Sequence, residues 1–337
     1  MKQINVVVGG IPNPIGGITT FIKRLVQTER SISHLVDLYP SKGKVVPAEY
    51  SGVYVYSERK IKSLLRLALL CIRGEGRFFF NFSTPKSLLL LLLLPKRNSK
   101  WFVMLHHGNL NAGKYGAVAR WVLSRKVDVV LAMNARQVSW YEQFVEKEKI
   151  KIASSYVPPA PGAGLIAPEE LKVTVHNIRS KFNNLFVCSG YPTSIYRHLL
   201  AIDLMRLRKS DFLFCCLYGD GEEVNEIRQL ASMMDNVMIF EMLGEDEFNF
   251  VLRSSDLYIR LNLEDSLGVA VGDAVNFGVK CLATNVCKRY KGAALVEVDM
   301  AVDVLDAFVD KVLKQDESVL YESDGVVGFS YKELVSC

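Results

Sequence analysis

Apolar runs of strand length alternate with amphipathic stretches of helix length along most of this chain. Ile4–Gly9, His34–Tyr39, Val53–Tyr56, Arg77–Phe82, Trp101–His106 and Val127–Met133 read as strands. Between them, Gly16–Gln27, Ile61–Ile72, Pro85–Leu94, Tyr115–Arg125 and Arg136–Lys147 read as helices; in the first of these Phe21, Ile22 and Leu25 share one face. The alternation restarts in the second half. Asn184–Cys188, Phe212–Tyr218, Val237–Phe240, Leu257–Leu261, Lys280–Ala283 and Ala294–Val298 are the predicted strands, with helices over Ile195–Arg208, Glu222–Met234, Glu245–Ser254 and Ala301–Leu313. Strands alternating with helices predict parallel, doubly wound α/β sheets.

The break falls at Val157-Pro158-Pro159-Ala160-Pro161-Gly162-Ala163-Gly164, a Pro- and Gly-rich stretch near the midpoint. A length of 337 residues suits two domains. We therefore expect an N-terminal domain over 1–157, a linker over 158–172, a C-terminal domain over 173–315 and a tail over 316–337 that packs back on the first domain. Half of the residues are apolar, enough for two cores. The run Leu88–Leu94, ended by Pro95, is far shorter than the roughly 20 residues that span a bilayer, and is expected to be a buried helix. The start runs from Met1-Lys2-Gln3 into a strand without the apolar stretch and cleavage site of a signal peptide, so a cytoplasmic location is expected. Seven cysteines, an odd number without zinc-finger spacing, read as reduced core residues. No His/carboxylate cluster has metal spacing, so no metal site is expected.

Charge divides the chain as sharply as the linker does. Residues 1–160 hold 24 Lys and Arg against 9 Asp and Glu, whereas 161–337 hold 17 against 27. The basic half suits an anionic membrane surface, which makes a peripheral position at the inner face of a membrane the expectation. A solvated basic surface is the alternative. Nucleic acid is not the expected partner, because no zinc-ligand pattern or interleaved aromatic and basic motif accompanies the charge.

The densest chemistry lies from Asp256 to Ala274. An apolar strand runs into Glu264-Asp265; a small-residue turn, Ser266-Leu267-Gly268, opens a helix that carries Asp273 eight positions after Asp265. Parallel α/β sheets bind ligands at the carboxyl ends of their strands, and a helix N-terminus offers free N–H groups to an anion. Carboxylates there can accept hydrogen bonds from sugar or ribose hydroxyls. Phosphate and hydroxyl recognition together suit a nucleotide sugar; a surface acidic loop before a buried helix is the plainer alternative.

The spacing of Asp265, Gly268, Asp273 and Ala274 resembles the donor-site motif of family-4 retaining glycosyltransferases of the bacterial surface-polysaccharide type. That family usually has Glu at both acidic positions; both Asp are departures, and Glu264 stands beside the first. The resemblance covers nearly the whole chain and implies the GT-B architecture, two Rossmann-like domains facing each other across a cleft. It gives Asp273 the ribose hydroxyls. To Asp265 or Glu264, with the main-chain N–H groups of Ser266, Leu267, Gly268 and Val269, it gives the sugar and diphosphate. It also implies that no metal is required.

Four further segments fit the same resemblance. Gly16-Gly17, after the first strand, is similar to the family's Gly-Gly loop near the donor diphosphate; a plain tight turn is the alternative. His107-Gly108 ends a strand as the family's His-Gly does, which places His107 near the transferred sugar; otherwise it is a structural strand-end His. Since side chains alternate along a strand, His106 and His107 cannot both face one site. Asn134 reads as a helix cap. In the loop after Cys188 the family carries Arg and Lys for the diphosphate; here Tyr191 replaces the Arg, and Arg197 stands one residue beyond the Lys position. Gly219 lies in a Gly-x-Gly turn that the family places near the base.

These residues imply transfer of a sugar from a nucleotide diphosphate donor, a UDP-sugar first among the candidates, to a hydroxyl of a glycan or lipid-linked glycan in polysaccharide biosynthesis. The rivals are a non-catalytic relative that binds nucleotide or glycan and organises a synthesis complex, and a GT-B sugar-nucleotide epimerase, which needs no acceptor.

Overall fold

A computed structural model of the protein describes residues 4–322 apart from 14, 42, 74, 109, 112 and 317, together with Tyr331. Of the tail expected over 316–337, residues 317, 323–330 and 332–337 lie outside them. The described residues form two compact units that divide between Val157 and Pro158, with Tyr331 belonging to the first.

In the first unit seven strands make one sheet: β1 Ile4–Gly9, β2 His34–Asp37, β3 Val53–Val55, β4 Gly76–Phe82, β5 Lys100–Leu105, β6 Val129–Ala132 and β7 Ile150–Ile152. Their order is β3-β2-β1-β4-β5-β6-β7, and every pairing is parallel. The strands are apolar on both faces because helices cover both. Val7, Phe79 and Met104 pack on one side with Phe21, Ile22 and Leu25 of α1 (Gly17–Thr28). Val6, Phe78 and Val103 pack on the other with α2 (Lys60–Arg73), α3 (Leu88–Leu93), α4 (Gly116–Arg125) and α5 (Ala135–Tyr141). Tyr331 lies on the α1 side, its ring 5.2 Å from Phe21 and 5.9 Å from Phe79, and its hydroxyl donates to the Ser154 carbonyl.

The second unit repeats the plan with six parallel strands: β8 Leu185–Gly190, β9 Phe212–Leu217, β10 Val237–Glu241, β11 Leu257–Arg260, β12 Lys280–Thr284 and β13 Ala294–Val296, in the order β10-β9-β8-β11-β12-β13. Its helices are α6 Glu169–Arg179, α7 His198–Leu207, α8 Val224–Ser232, α9 Glu245–Arg253, α10 Val269–Asn276 and α11 Val302–Lys314. No helix among the described residues is long and apolar enough to cross a membrane.

Three sequence expectations change. The helix expected over Arg136–Lys147 ends at Tyr141 and gives way to turns. Two elements, β7 and α6, were not anticipated. The helix expected to be buried at Leu88–Leu94 is only half so: Leu88, Leu91 and Leu94 face the core, while Leu89, Leu92 and Leu93 are exposed, since a single-layer helix on a sheet can bury just one stripe.

Candidate functional site

In each sheet the strand order reverses direction at one point, between β1 and β4 in the first unit and between β8 and β11 in the second. Loops leaving such neighbouring strands diverge and leave a crevice at the carboxyl edge. Most of the motif residues lie at these edges.

In the second unit the β11–α10 loop is organised by a buried charge cluster. The Asp265 carboxylate accepts from Arg260 Nε at 2.9 Å, Arg260 Nη2 at 3.2 Å, Arg289 Nη1 at 2.7 Å and the Ser266 amide at 3.0 Å. Arg289 is fully buried and also donates to the carbonyls of Thr284 (3.1 and 3.0 Å) and Leu267 (3.3 Å). Arg260 reaches the Ser189 carbonyl at the end of β8 and lies 5.3 Å above the Tyr196 ring. Burial alone would raise the Asp265 pKa, but the charges of Arg260 and Arg289 outweigh it and hold the carboxyl well below the usual range. Two guanidiniums and one carboxylate leave a net positive charge.

Gly268 follows at φ +76°, and a Cβ there would stand 3.0 Å from Asp265 Oδ2 and 3.2 Å from Arg289 Nη1. Only glycine fits both the backbone and the space. It begins α10 without a side-chain cap, so amides of the first turn are not satisfied by a capping side chain. Leu267 is buried, Ser266 and Val269 are half-buried, and Asp273 is buried one turn into the helix. Glu264 is exposed beside Asp265.

Neighbouring loops hold this one in place. The Leu263 amide donates to the Ile195 carbonyl at 2.9 Å, and the Glu223 amide to Pro192 at 3.0 Å. Gly219 (φ +69°) allows the Tyr191 ring to lie against the β9 turn, where a Cβ would be 2.9 Å away. Arg197, left-handed at the start of α7, donates from Nη1 to the Val298 carbonyl. Between β8, β9 and the start of α7 the fold also gathers three buried side chains: Cys188 Sγ and Cys215 Sγ lie 3.6 and 3.7 Å from His198 Nδ1. These three buried donors are within 4.8 Å of one another, one short of a tetrahedral zinc set; they act as thiol–imidazole contacts that seat the first residue of α7.

In the first unit Gly16 precedes and Gly17 begins α1, again without a side-chain cap. Strand alternation turns His106 inward and leaves His107 exposed. His106 Nε2 bonds Asn81 Oδ1 at 3.0 Å, and burial pushes its pKa down to about 3, so the ring is neutral. Asn134 caps α5 by accepting from the Gln137 amide at 2.9 Å. Gln137, fully buried, donates to the carbonyls of Leu105 (2.9 Å) and His107 (2.8 Å), which fixes the backbone of the His107 loop.

No protein-family profile matches the sequence, and no curated protein matches it either. Solved structures do. HepE of Anabaena in complex with UDP-glucose gives a TM-score of 0.67 at 10% identity, over 93% of this chain and 90% of that one. WaaG, a glycosyltransferase involved in lipopolysaccharide biosynthesis, gives 0.62 at 15%, over 92% and 90%. Sucrose-phosphate synthase from Thermosynechococcus elongatus gives 0.65 at 12%, over 93% and 90%. The chain has the GT-B fold.

Within the second GT-B unit the structure brings Glu264, Asp265, Ser266, Leu267, Gly268, Val269 and Asp273 onto one loop–helix segment. Arg197 and Gly219 lie on neighbouring loops of the same unit, and Gly16, Gly17 and His107 belong to the other. Sequence reasoning missed Arg260, Arg289 and Gln137. The signal for Arg260 was present as a charge ending the apolar strand Leu257–Ile259. Arg289 lies 24 residues beyond Asp265, and no local pattern marks it.

Proposed function

We propose that this chain is a retaining glycosyltransferase that moves a sugar from a nucleotide diphosphate sugar, a UDP-sugar first, to a hydroxyl of a glycan or lipid-linked glycan. The observation that carries the reading is the second unit's switch point. There an uncapped helix begins beside the Arg260–Asp265–Arg289 cluster, which fixes the loop so that the amides of the helix's first turn can meet a diphosphate. HepE, of like fold, was crystallised with UDP-glucose. Asp273 would take the ribose. With both Asp265 oxygens held by guanidiniums, Glu264 is the carboxylate available to sugar hydroxyls, and Asp265 would position the loop. His107, exposed at the end of β5, is the candidate group for the sugar on the other unit, with Gly16 and Gly17 near the diphosphate. The leaving diphosphate would accept the acceptor proton, so the reaction would need no carboxylate base; a cation and helix N-termini would meet the phosphate charge without a metal, and the setting would be cytoplasmic polysaccharide synthesis.

One observation favours the second reading, a non-catalytic nucleotide- or glycan-binding relative. The Arg197 guanidinium already donates to the Val298 carbonyl, and Tyr191 stands where the resembled family carries its other phosphate-binding cation, an Arg. A screen of nucleotide sugars with lipid-linked and free glycan acceptors, read by released nucleoside diphosphate, separates them. Turnover supports the transferase. Nucleotide binding without release across the panel would support the relative. In the active case Asp273→Asn should raise the donor KM about tenfold, about 1.4 kcal/mol, with kcat little changed. An unchanged KM would remove Asp273 from the donor site.

A further inference from the structure

The first unit displays an apolar and basic face that its own core leaves uncovered. In α2, Ser63, Leu67 and Cys71 turn inward. On the other side Ile61, Leu65, Leu69 and Ile72 are 71, 61, 48 and 40% exposed. At about 100° per residue these four fall within about 80° of one another, a continuous outward stripe. Lys62, Arg66 and Arg73 flank it, all exposed. Among the described residues none of the three is bonded to a carboxylate. The helix contains no acid at all.

The neighbouring layer repeats this. Leu88 and Leu91 of α3 join the same core cluster as Leu67 and Cys71, so both helices cover one side of the sheet. Their outer residues face away from that side, and Leu93 is 80% exposed, with Leu89 and Leu92 partly so. Lys126 keeps them displayed: its Nζ donates to the carbonyls of Leu91, Leu92 and Leu94 at 3.0, 3.0 and 2.6 Å, closing the end of α3. From Arg59 to Val127, fourteen Lys and Arg stand against one acid, Glu75.

Exposed apolar patches with a charged rim mark interaction surfaces. The chemistry of this one selects its occupant. A nucleic acid would use the cations and leave seven aliphatic side chains in water. A neutral apolar partner would leave the cations unmatched. An anionic bilayer uses both, apolar side chains entering the acyl boundary while cations meet the headgroups. We propose that the outer face of α2 and α3 docks on an anionic lipid surface, lying in the interface without spanning it. The inference does not rest on the transferase reading.

The test is co-sedimentation of the full chain with phosphatidylcholine vesicles, with and without phosphatidylglycerol. Binding should require the anionic lipid and weaken with salt. Lys62→Gln/Arg66→Gln/Arg73→Gln should weaken it roughly a hundredfold, each cation contributing about fivefold. Ile61→Ser/Leu65→Ser/Leu69→Ser should weaken vesicle binding roughly tenfold or more while leaving retention on heparin unchanged. All six positions are exposed, and thermal melts check that both variants fold. Equal binding to neutral and anionic vesicles, or none to either, overturns the proposal. So does full vesicle binding by the serine variant, or tighter binding of the parent to mixed-sequence RNA than to vesicles. A dimer in the absence of lipid that the serine variant abolishes would assign the face to a second copy, whose 161–337 half is acidic, and would also overturn it.

Discussion

Asp265→Asn removes one negative charge from the buried cluster and leaves Arg260 and Arg289 side by side without a counterion. The carboxylate accepts three guanidinium hydrogen bonds. The side chain of Arg289 is 0% exposed and that of Arg260 11%, so water cannot replace the lost charge. Breaking a buried ion pair by removing one partner costs about 3–5 kcal/mol. That is a large share of the roughly 5–15 kcal/mol that holds a domain together. For a unit of this size it corresponds to a melting temperature lower by roughly 10 °C. All three tryptophans, Trp101, Trp121 and Trp140, lie in the first unit. Far-UV circular dichroism therefore reads both units, and tryptophan emission reads the first. The variant should lower the dichroism transition by this amount, and adding Arg289→Met should restore at least about 1 kcal/mol by removing the unpaired charge. Urea unfolding at constant slope gives the energies. A loss below about 1 kcal/mol, or strict additivity of the two changes, would refute the claim that Asp265 is the cluster's structural anion. Because its pKa is held below the usual range, this contribution should be constant from pH 5 to neutrality.

Gly268→Ala should cost about 1–3 kcal/mol, since φ is +76° and the added methyl meets Asp265 and Arg289; an unchanged urea midpoint would contradict this. His106 should make stability fall in acid. Its folded pKa is lowered to about 3 from an ordinary 6.5, so the unfolded chain binds the extra proton between those values. Stability from this group is complete above pH 6.5 and declines by about 1.4 kcal/mol per pH unit as the pH falls below it. Urea midpoints from pH 7 to 5 for the parent and His106→Leu check this, the variant giving the flatter profile.

The alternation of apolar runs and helical periods was enough to determine two doubly wound sheets, because a strand buried on both faces must be apolar throughout. Period two also predicted that His106 and His107 face opposite ways. The helix α6 escaped because Val173, Thr174 and Val175 look like strand, and only packing shows that Leu171, Val175 and Ile178 form its buried stripe. The spacing from Asp265 to Asp273 was visible as a loop–helix motif, but that guanidiniums hold Asp265 was not. That depends on Arg260, five residues back, and Arg289, which β12 and the following turn return to the loop. The leucine run was legible as a helix, yet the sheet beneath it decided that three of its seven leucines stay exposed. Sequence determines what each segment can bury on its own. Tertiary structure decides which charges share a site and which apolar faces are left uncovered, because both depend on distances between residues that local pattern does not constrain.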